Sequence, residues 1–327
     1  MKTTIRDIAS HLGISHATVS RVLNGRGEGF ISEATRNRVF EAAKEMGYRP
    51  NAAARALVTG RTGAVAVWTH TIDSPFYAQV LHQLEEQITA HGYTLSLTRT
   101  RKPFQDLAEI LETPAVDGVI AVDMLRAAGD VPVYDPNRHR PIVFLGVHSP
   151  QSADYVRVDL KTGMQEAVEH LLHAGCRRIA YIVHEEMALP GEARIDAYST
   201  ALRKAGLGLE VIALPDTSRA CIREAMVRYV PAHGSPDGLL CQNDDIAIGA
   251  FRGLRDLGLR VPDDVRLIGC DGIDEIGYFD PPFSTIQQPI AQMCALAWQF
   301  LEGRLGEPSL APQQISLPAH LLIHGSS

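Results

Sequence analysis

Thr4-Ile5-Arg6-Asp7-Ile8-Ala9, then Gly13, then Ser15-His16-Ala17-Thr18-Val19-Ser20-Arg21-Val22-Leu23-Asn24 is the stretch on which the reading of this chain turns. Thr4 with Asp7 three residues on is a capping box, and Ile5, Ile8, Ala9 and Leu12 recur behind it at helical spacing. Gly13 accepts the backbone conformation that closes a helix, and Ser15 caps another almost at once. Two short helices about a glycine turn predict a helix-turn-helix, whose second helix lies in a DNA major groove. His16, Ala17 and Thr18 fall in the exposed first turn of that helix, where small polar side chains approach phosphates and base edges closely. Arg21 and Asn24 reach phosphates or flanking bases further along, while Val19, Val22 and Leu23 turn back to pack. A third helix is predicted over Glu33 to Met46, capped by Ser32. Pro50 can open a short fourth helix over Asn51 to Leu57, too short to hold in water without a partner, and Gly60-Arg61-Thr62-Gly63 beyond it reads as a joint.

Charge divides the chain at the same place. Residues 1 to 61 carry ten Lys plus Arg against five Asp plus Glu, a net of +5; the whole chain is at -7, so the remainder carries -12. A basic head on an acidic body fits a polyanion-binding module joined to something else. At 327 residues two or three domains are expected, and 45% hydrophobic with 21% charged residues describes an ordinary globular composition. No apolar run precedes Arg6 and Asp7, and no stretch reaches eighteen uncharged apolar residues, so neither a signal peptide nor a membrane span is expected. Five cysteines without a C-x-x-C pair read as buried thiols of a reducing cytoplasm.

The head resembles that of the lactose-repressor (LacI/GalR) family of bacterial transcriptional regulators. The resemblance runs through Thr4 to Ala9, Gly13-Ile14-Ser15, Ala17 to Gly25, Ser32 with Thr35-Arg36, and Gly47-Tyr48-Arg49-Pro50-Asn51-Ala52-Ala53-Ala54-Arg55-Ala56-Leu57. It implies a homodimer on a pseudo-palindromic operator, with residues 51 to 57 folding on DNA and Leu57 wedged into the minor groove. The candidate DNA-binding residues are Thr4, Ser15, His16, Ala17, Thr18, Ser20, Arg21, Asn24, Tyr48, Asn51, Arg55 and Leu57. The glycine-rich loop from Gly25 to Ser32 is about two residues longer than the resemblance leads one to expect.

From Gly63 the period changes. Apolar strands are expected at Ala64 to Trp68, Thr94 to Leu97, Val116 to Val122 and Ile142 to Gly146, with helices from Phe76 to Ile88 and Pro103 to Leu111 and an irregular stretch from Ala127 to His139. The pattern repeats with helices Thr162 to His173, Gly191 to Ala205, Arg219 to Tyr229 and Asp245 to Leu257 between strands Arg178 to Val183, Leu209 to Leu214, Gly238 to Cys241 and Arg266 to Cys270. A long helix from Pro289 to Leu301 and one last strand from Ile315 to Ile323 follow. Alternation of strand and helix predicts two parallel sheets flanked by helices, with ligand bound at strand ends in the cleft between lobes. The body resembles the same family, notably at Ser74 to Tyr77, Arg194 with Tyr198, Gln242 to Gly249 and Ile268 to Asp271, which implies the two-lobed fold of periplasmic sugar-binding proteins with three crossovers. The expected domains are residues 1–49, helix-turn-helix; 50–62, hinge helix and linker; and 63–327, effector-binding and dimerisation body. Lobe 1 is expected over about 63–157 plus part of 286–327, and lobe 2 over about 158–285 plus a crossover segment.

Phe76, Arg194, Asn243 and Asp271 sit at strand ends or helix starts and combine a ring, a forked donor, an amide and a carboxylate, the set that holds a polyhydroxylated ring. The resemblance implies effector contact for these four, and His70 and Asp73 on the first loop join them as candidates. Gly146 departs from the family, many of whose members carry an aspartate there, and His184 to Pro190 offers carboxylates and a thioether in place of small hydroxyl residues. No metal, cofactor or catalytic residue is expected: His184-Glu185-Glu186 lacks a second histidine, and no G-x-S-x-G elbow or phosphate loop is present. The expected function is a ligand-responsive transcriptional repressor, with a transport solute receptor and an enzyme carrying a DNA module as alternatives. With only His324-Gly325-Ser326-Ser327 after Ile323, a dimer is expected over a tetramer.

Overall fold

The computed structural model describes residues 3–24, 30–48, 56, 60–99, 116–124, 140–148, 152–189 and 191–327. Outside this set lie Asn51, Arg55 and Leu57 of the expected hinge helix, most of the loop from Gly25, the helix expected from Pro103 and the irregular stretch Ala127 to His139. The chain divides into two compact units, Met1–Thr62 and Gly63–Ser327.

Among its described residues the first unit holds the helices α1 (Ile5–Leu12), α2 (His16–Leu23) and α3 (Glu33–Glu45). Each begins at a hydroxyl that satisfies a first-turn amide. Thr4 accepts from Asp7 N while the Asp7 carboxylate accepts from Thr4 N at 2.8 Å, Ser15 accepts from Thr18 N at 3.0 Å, and Ser32 accepts from Thr35 N at 3.3 Å. Gly13, at φ 66°, closes α1. Ile8, Ala9, Val19, Val22, Val39, Ala42 and Ala43 form its core.

The second unit holds two six-stranded sheets. The first contains β1 (Ala64–Thr69), β2 (Thr94–Arg99), β3 (Gly118–Val122), β4 (Ile142–Gly146), β5 (Asp154–Asp159) and β11 (Gln314–Pro318), in the order β11-β5-β4-β3-β1-β2, all parallel. The second contains β6 (Ile179–His184), β7 (Glu210–Leu214), β8 (Gly238–Cys241), β9 (Arg266–Asp271), β10 (Ser284–Gln287) and β12 (His320–Leu322), in the order β12-β10-β9-β8-β6-β7. Its pairs are parallel except β12, which runs antiparallel to β10. Among the described helices, α4 (Pro75–Ala90) and α9 (Ile290–Gly306) pack together beside the first sheet, and α5 (Leu160–His173), α6 (Ala193–Lys204), α7 (Arg219–His233) and α8 (Asp244–Asp256) accompany the second. Central strands buried on both faces, such as β3 and β4, are the unbroken apolar runs expected of parallel sheets. Arg304 pins the end of α9 with a two-pronged ion pair to buried Asp154, Nη2 to Oδ1 at 2.7 Å and Nε to Oδ2 at 2.9 Å.

The chain passes between the sheets three times: from β5 into α5, from β10 into α9, and from β11 into β12. The last crossing corrects the sequence reading, which made Ile315 to Ile323 one strand. It is two, in different sheets, parted at Ala319. Two strands not expected, β5 and β10, lead into the other crossings. The crossings converge: Ala319 N donates to the Asp159 carbonyl at 3.1 Å, and a Cβ at Gly163 would run into Ile286 and the Ala319 carbonyl.

Candidate functional site

In the head, α2 turns its first turn outward. Ser15, His16 and Ala17 are exposed, as are Arg21 and Asn24, while Val19 and Val22 face the core. No acidic residue stands in that first turn, so the positive end of the helix is open to an anion. Some of the expected contacts are already engaged within the head. Thr18 and Ser15 hydroxyls lie 2.8 Å apart, and Asn24 Nδ2 donates to the Ser20 carbonyl at 2.8 Å. Thr4 is exposed at its cap, and Tyr48 is half-buried against the head core.

In the body, Tyr77 in the first turn of α4 is the point of convergence. Its hydroxyl donates to Asp123 Oδ2 at 3.1 Å, and the His70 ring meets its ring edge-on with centroids 5.2 Å apart. Burial, then the negative charges of Asp123 and Asp271, push the phenol well up, and Arg194 opposes them. Tyr77 and Asp123 belong to the first lobe, and Asp271 and Arg194 to the second, so the two halves face each other across one cleft. At its edge Ser74 Oγ donates to Asp245 Oδ2 at 3.0 Å, bridging the lobes, and Arg219 Nε reaches the same carboxylate at 2.8 Å.

Arg194 is buried because Glu192 is buried with it. Glu192 caps α6, accepting from Arg194 N and Ile195 N at 2.9 Å each, and its other oxygen takes Arg194 Nε at 2.8 Å. Arg194 Nη1 donates to the Gln242 carbonyl at 3.0 Å. Asp271 ends β9 with φ at 119°, a conformation that costs a non-glycine residue strain. Gln288, entering the second crossing, bonds it twice: Nε2 to Oδ1 at 2.8 Å and N to the carbonyl at 3.1 Å. Burial and the neighbouring Asp244 charge hold the Asp271 carboxyl well above the usual range. Asp244 is fully buried yet well satisfied, accepting from Gly272 N at 2.8 Å, Ile273 N at 3.0 Å and Thr285 Oγ1 at 2.9 Å, and burial pushes its carboxyl up to about 7.

The structure corrects the candidate ring. Phe76 is 5% exposed and packs in the main core with Val80, Leu84 and Ile88; Tyr77 takes its place in the cleft. The spacing of those four residues already marked the core face of α4, and Tyr77 stands off it. Asn243 is half-buried with its Oδ1 occupied by Ile246 N at 2.8 Å as the cap of α8. Asp73 lies at the exposed rim, paired with Arg99 at 3.3 Å. Gly146 explains a carboxylate that sequence reasoning missed. With φ at 144° and no side chain, it leaves room for Asp123, and a Cβ there would fall inside the Asp123 carboxylate. Asp123 also accepts from Val147 N at 3.1 Å. Its signal was faint, a first polar residue after an apolar strand. Among the described residues no group of three or more His, Cys, Asp and Glu could hold a metal ion, and no helix is long and apolar enough to cross a membrane.

Comparison with known proteins agrees over both units. Residues 4–51 match the family described as bacterial regulatory proteins, lacI family, and residues 168–327 match the periplasmic binding protein-like domain. The transcriptional regulator DegA of Bacillus subtilis is 30% identical over 335 residues, covering 100% of this chain and 98% of the relative. The ribose operon repressor of Halalkalibacterium halodurans is 28% identical over 325 residues, covering 98% and 96%. Among solved structures, the Lac repressor dimer bound to operator and an anti-inducer superposes with a TM-score of 0.83 at 22% identity, covering 100% and 99%, a likeness of fold. The complex of the regulator CelR with cellobiose gives 0.68 at 27% identity over 100% of both chains.

Proposed function

The chain belongs to the lacI family of bacterial regulatory proteins, a DNA-binding transcriptional regulator, and from that premise we propose how its parts divide the work. Residues 1–49 read a pseudo-palindromic operator, 50–62 form the hinge, and 63–327 bind a small effector and dimerise. Thr4, Ser15, His16, Ala17, Thr18, Ser20, Arg21, Asn24 and Tyr48 contact DNA, with Asn51, Arg55 and Leu57 acting from the hinge. Tyr77, Asp123, Arg194 and Asp271 hold the effector, with Asn243 and His70 beside them and Asp73 at the rim. The protein works in the cytoplasm as a repressor, by binding alone and without a cofactor.

The observation that carries this reading is the cleft itself: a phenol and a carboxylate from one lobe face a guanidinium and a carboxylate from the other. Such a set holds a polyhydroxylated molecule, and relatives named for ribose or carrying cellobiose favour a sugar. A ligand held by both lobes favours one lobe angle, and it shifts the balance only by its difference in affinity for the two states. A hundredfold difference supplies about 2.7 kcal/mol. A solute receptor or an enzyme would use the same cleft but has no use for the basic head. The test is selection of duplexes from a random pool by the full-length protein, then measurement of their affinity with and without a sugar panel. Sequence-selective binding that one compound changes is expected. Binding indifferent to sequence, or to every compound, would end the reading.

A further inference from the structure

Asp123 and Asp271 face the same phenol from opposite lobes, and neither has a cation of its own among the described residues. The Asp123 oxygens take the Tyr77 hydroxyl and Val147 N, both neutral donors. Asp271 Oδ1 takes the neutral amide of Gln288, and Oδ2 accepts nothing from a described residue, although Asp271 is only 8% exposed. Arg194 does not balance them: Glu192, 7% exposed, matches its charge at 2.8 Å. Two arginines at the rim are matched in the same way, Arg99 by Asp73 at 3.3 Å and Arg219 by Asp245. Gly146 fixes this imbalance in the backbone, since a side chain there would displace the Asp123 carboxylate from the cleft.

We infer that the cleft sorts its ligands by charge, taking a polyhydroxylated molecule that bears a basic nitrogen ahead of its neutral counterpart and turning away the anionic one. The inference rests on the cleft being the effector site. An ammonium brings both the missing charge and up to three donors to Asp271 and Asp123, where a hydroxyl brings one donor and no charge. Burial makes the difference large, because a carboxylate held out of water without a cation gains most from acquiring one. A ligand carboxylate or phosphate would meet the acidic groups of Asp123 and Asp271 with no cation to receive it, since the neighbouring guanidinium is already neutralised by Glu192.

The experiment is calorimetric titration of the full-length protein with two matched series: D-glucosamine, D-glucose and D-glucuronate, and D-galactosamine, D-galactose and D-galacturonate. In at least one series the amine should bind about 10-fold or more tighter than the neutral sugar, with the acid weakest. Asp123→Asn, checked for folding by its thermal midpoint, should shrink the ratio of amine to neutral affinity toward one. An acid binding as tightly as its amine, or no binding by any amine or neutral sugar, would overturn the inference. A ratio untouched by Asp123→Asn would overturn the role given to that carboxylate. Operator affinity measured with the same compounds separates the two claims. The charge order without any change in operator affinity would sink the effector reading alone, and a changed operator affinity with the order inverted would sink this one alone.

Discussion

The two lobes repeat one strand order, yet their halves of the cleft differ in how they are written into the sequence. In the second lobe Arg194 stands in the first turn of a helix and Asp271 ends an apolar strand, and both lie in the cleft. In the first lobe the sequence pointed to Phe76 and to a gap at Gly146, and the cleft holds Tyr77 and Asp123. Along a helix, one residue is a turn of about 100°, enough to exchange the core for the solvent side. The origin of a carboxylate is harder still. Asp123 fills the space above Gly146 because β3 and β4 are neighbours in the sheet, and adjacency of strands leaves no mark in the order of residues. A polar residue at a strand end is therefore legible as a candidate, whereas the neighbour that makes room for it is not.

The sharpest test of this contrast sets Phe76 against Tyr77. Phe76→Ala should cost about 4 kcal/mol of stability, read by denaturant unfolding, and Tyr77→Phe about 1 kcal/mol or less. Ligand affinity should move more with Tyr77→Phe; the reverse pattern would return Phe76 to the cleft. Next in size, Arg194→Met should cost about 3 kcal/mol by stranding the buried Glu192 charge. Most of that should return in the double variant Glu192→Gln with Arg194→Met. Additive losses would mean the pair is not coupled.

Gly146→Ala should cost about 2 kcal/mol, from backbone strain at φ 144° and from the displaced carboxylate. Combining it with Asp123→Ala should recover part of the loss, because the atoms in the way are gone. A double variant as unstable as the sum of the singles would place Asp123 elsewhere. The smallest effect is a slope. Asp244 is held up to about 7 in the folded chain by burial, above the ordinary carboxyl value of 3.8. A group raised on folding contributes stability at pH below its unfolded value and loses it as pH rises through the folded one. The thermal midpoint should therefore fall between about pH 4 and about pH 7, and Asp244→Asn should flatten that fall. A slope unchanged in the variant would assign the effect to other groups.

Helix starts, strand rhythm and the split between basic head and acidic body were legible because each has a local cause: a capping hydroxyl, a burial period, a count of charges. The break at Ala319 was not. Pro318 stands at the break, yet a proline that ends a strand does not say that the residues beyond it pair in another sheet, and the run from Ile315 to Ile323 reads as one strand. A segment that continues straight from one sheet to an opposed one must be parallel to the first and antiparallel to the second, as β11 and β12 are.

That meeting of crossings has a mechanical corollary. With Asp159, Gly163, Ile286 and Ala319 in contact, the crossings meet in one small knot of backbone, the natural pivot for a swivel of one lobe against the other. Travel at any point then grows in proportion to its distance from the knot, so an adjustment of a few tenths of an ångström around a bound molecule is geared up toward the outer ends of the body.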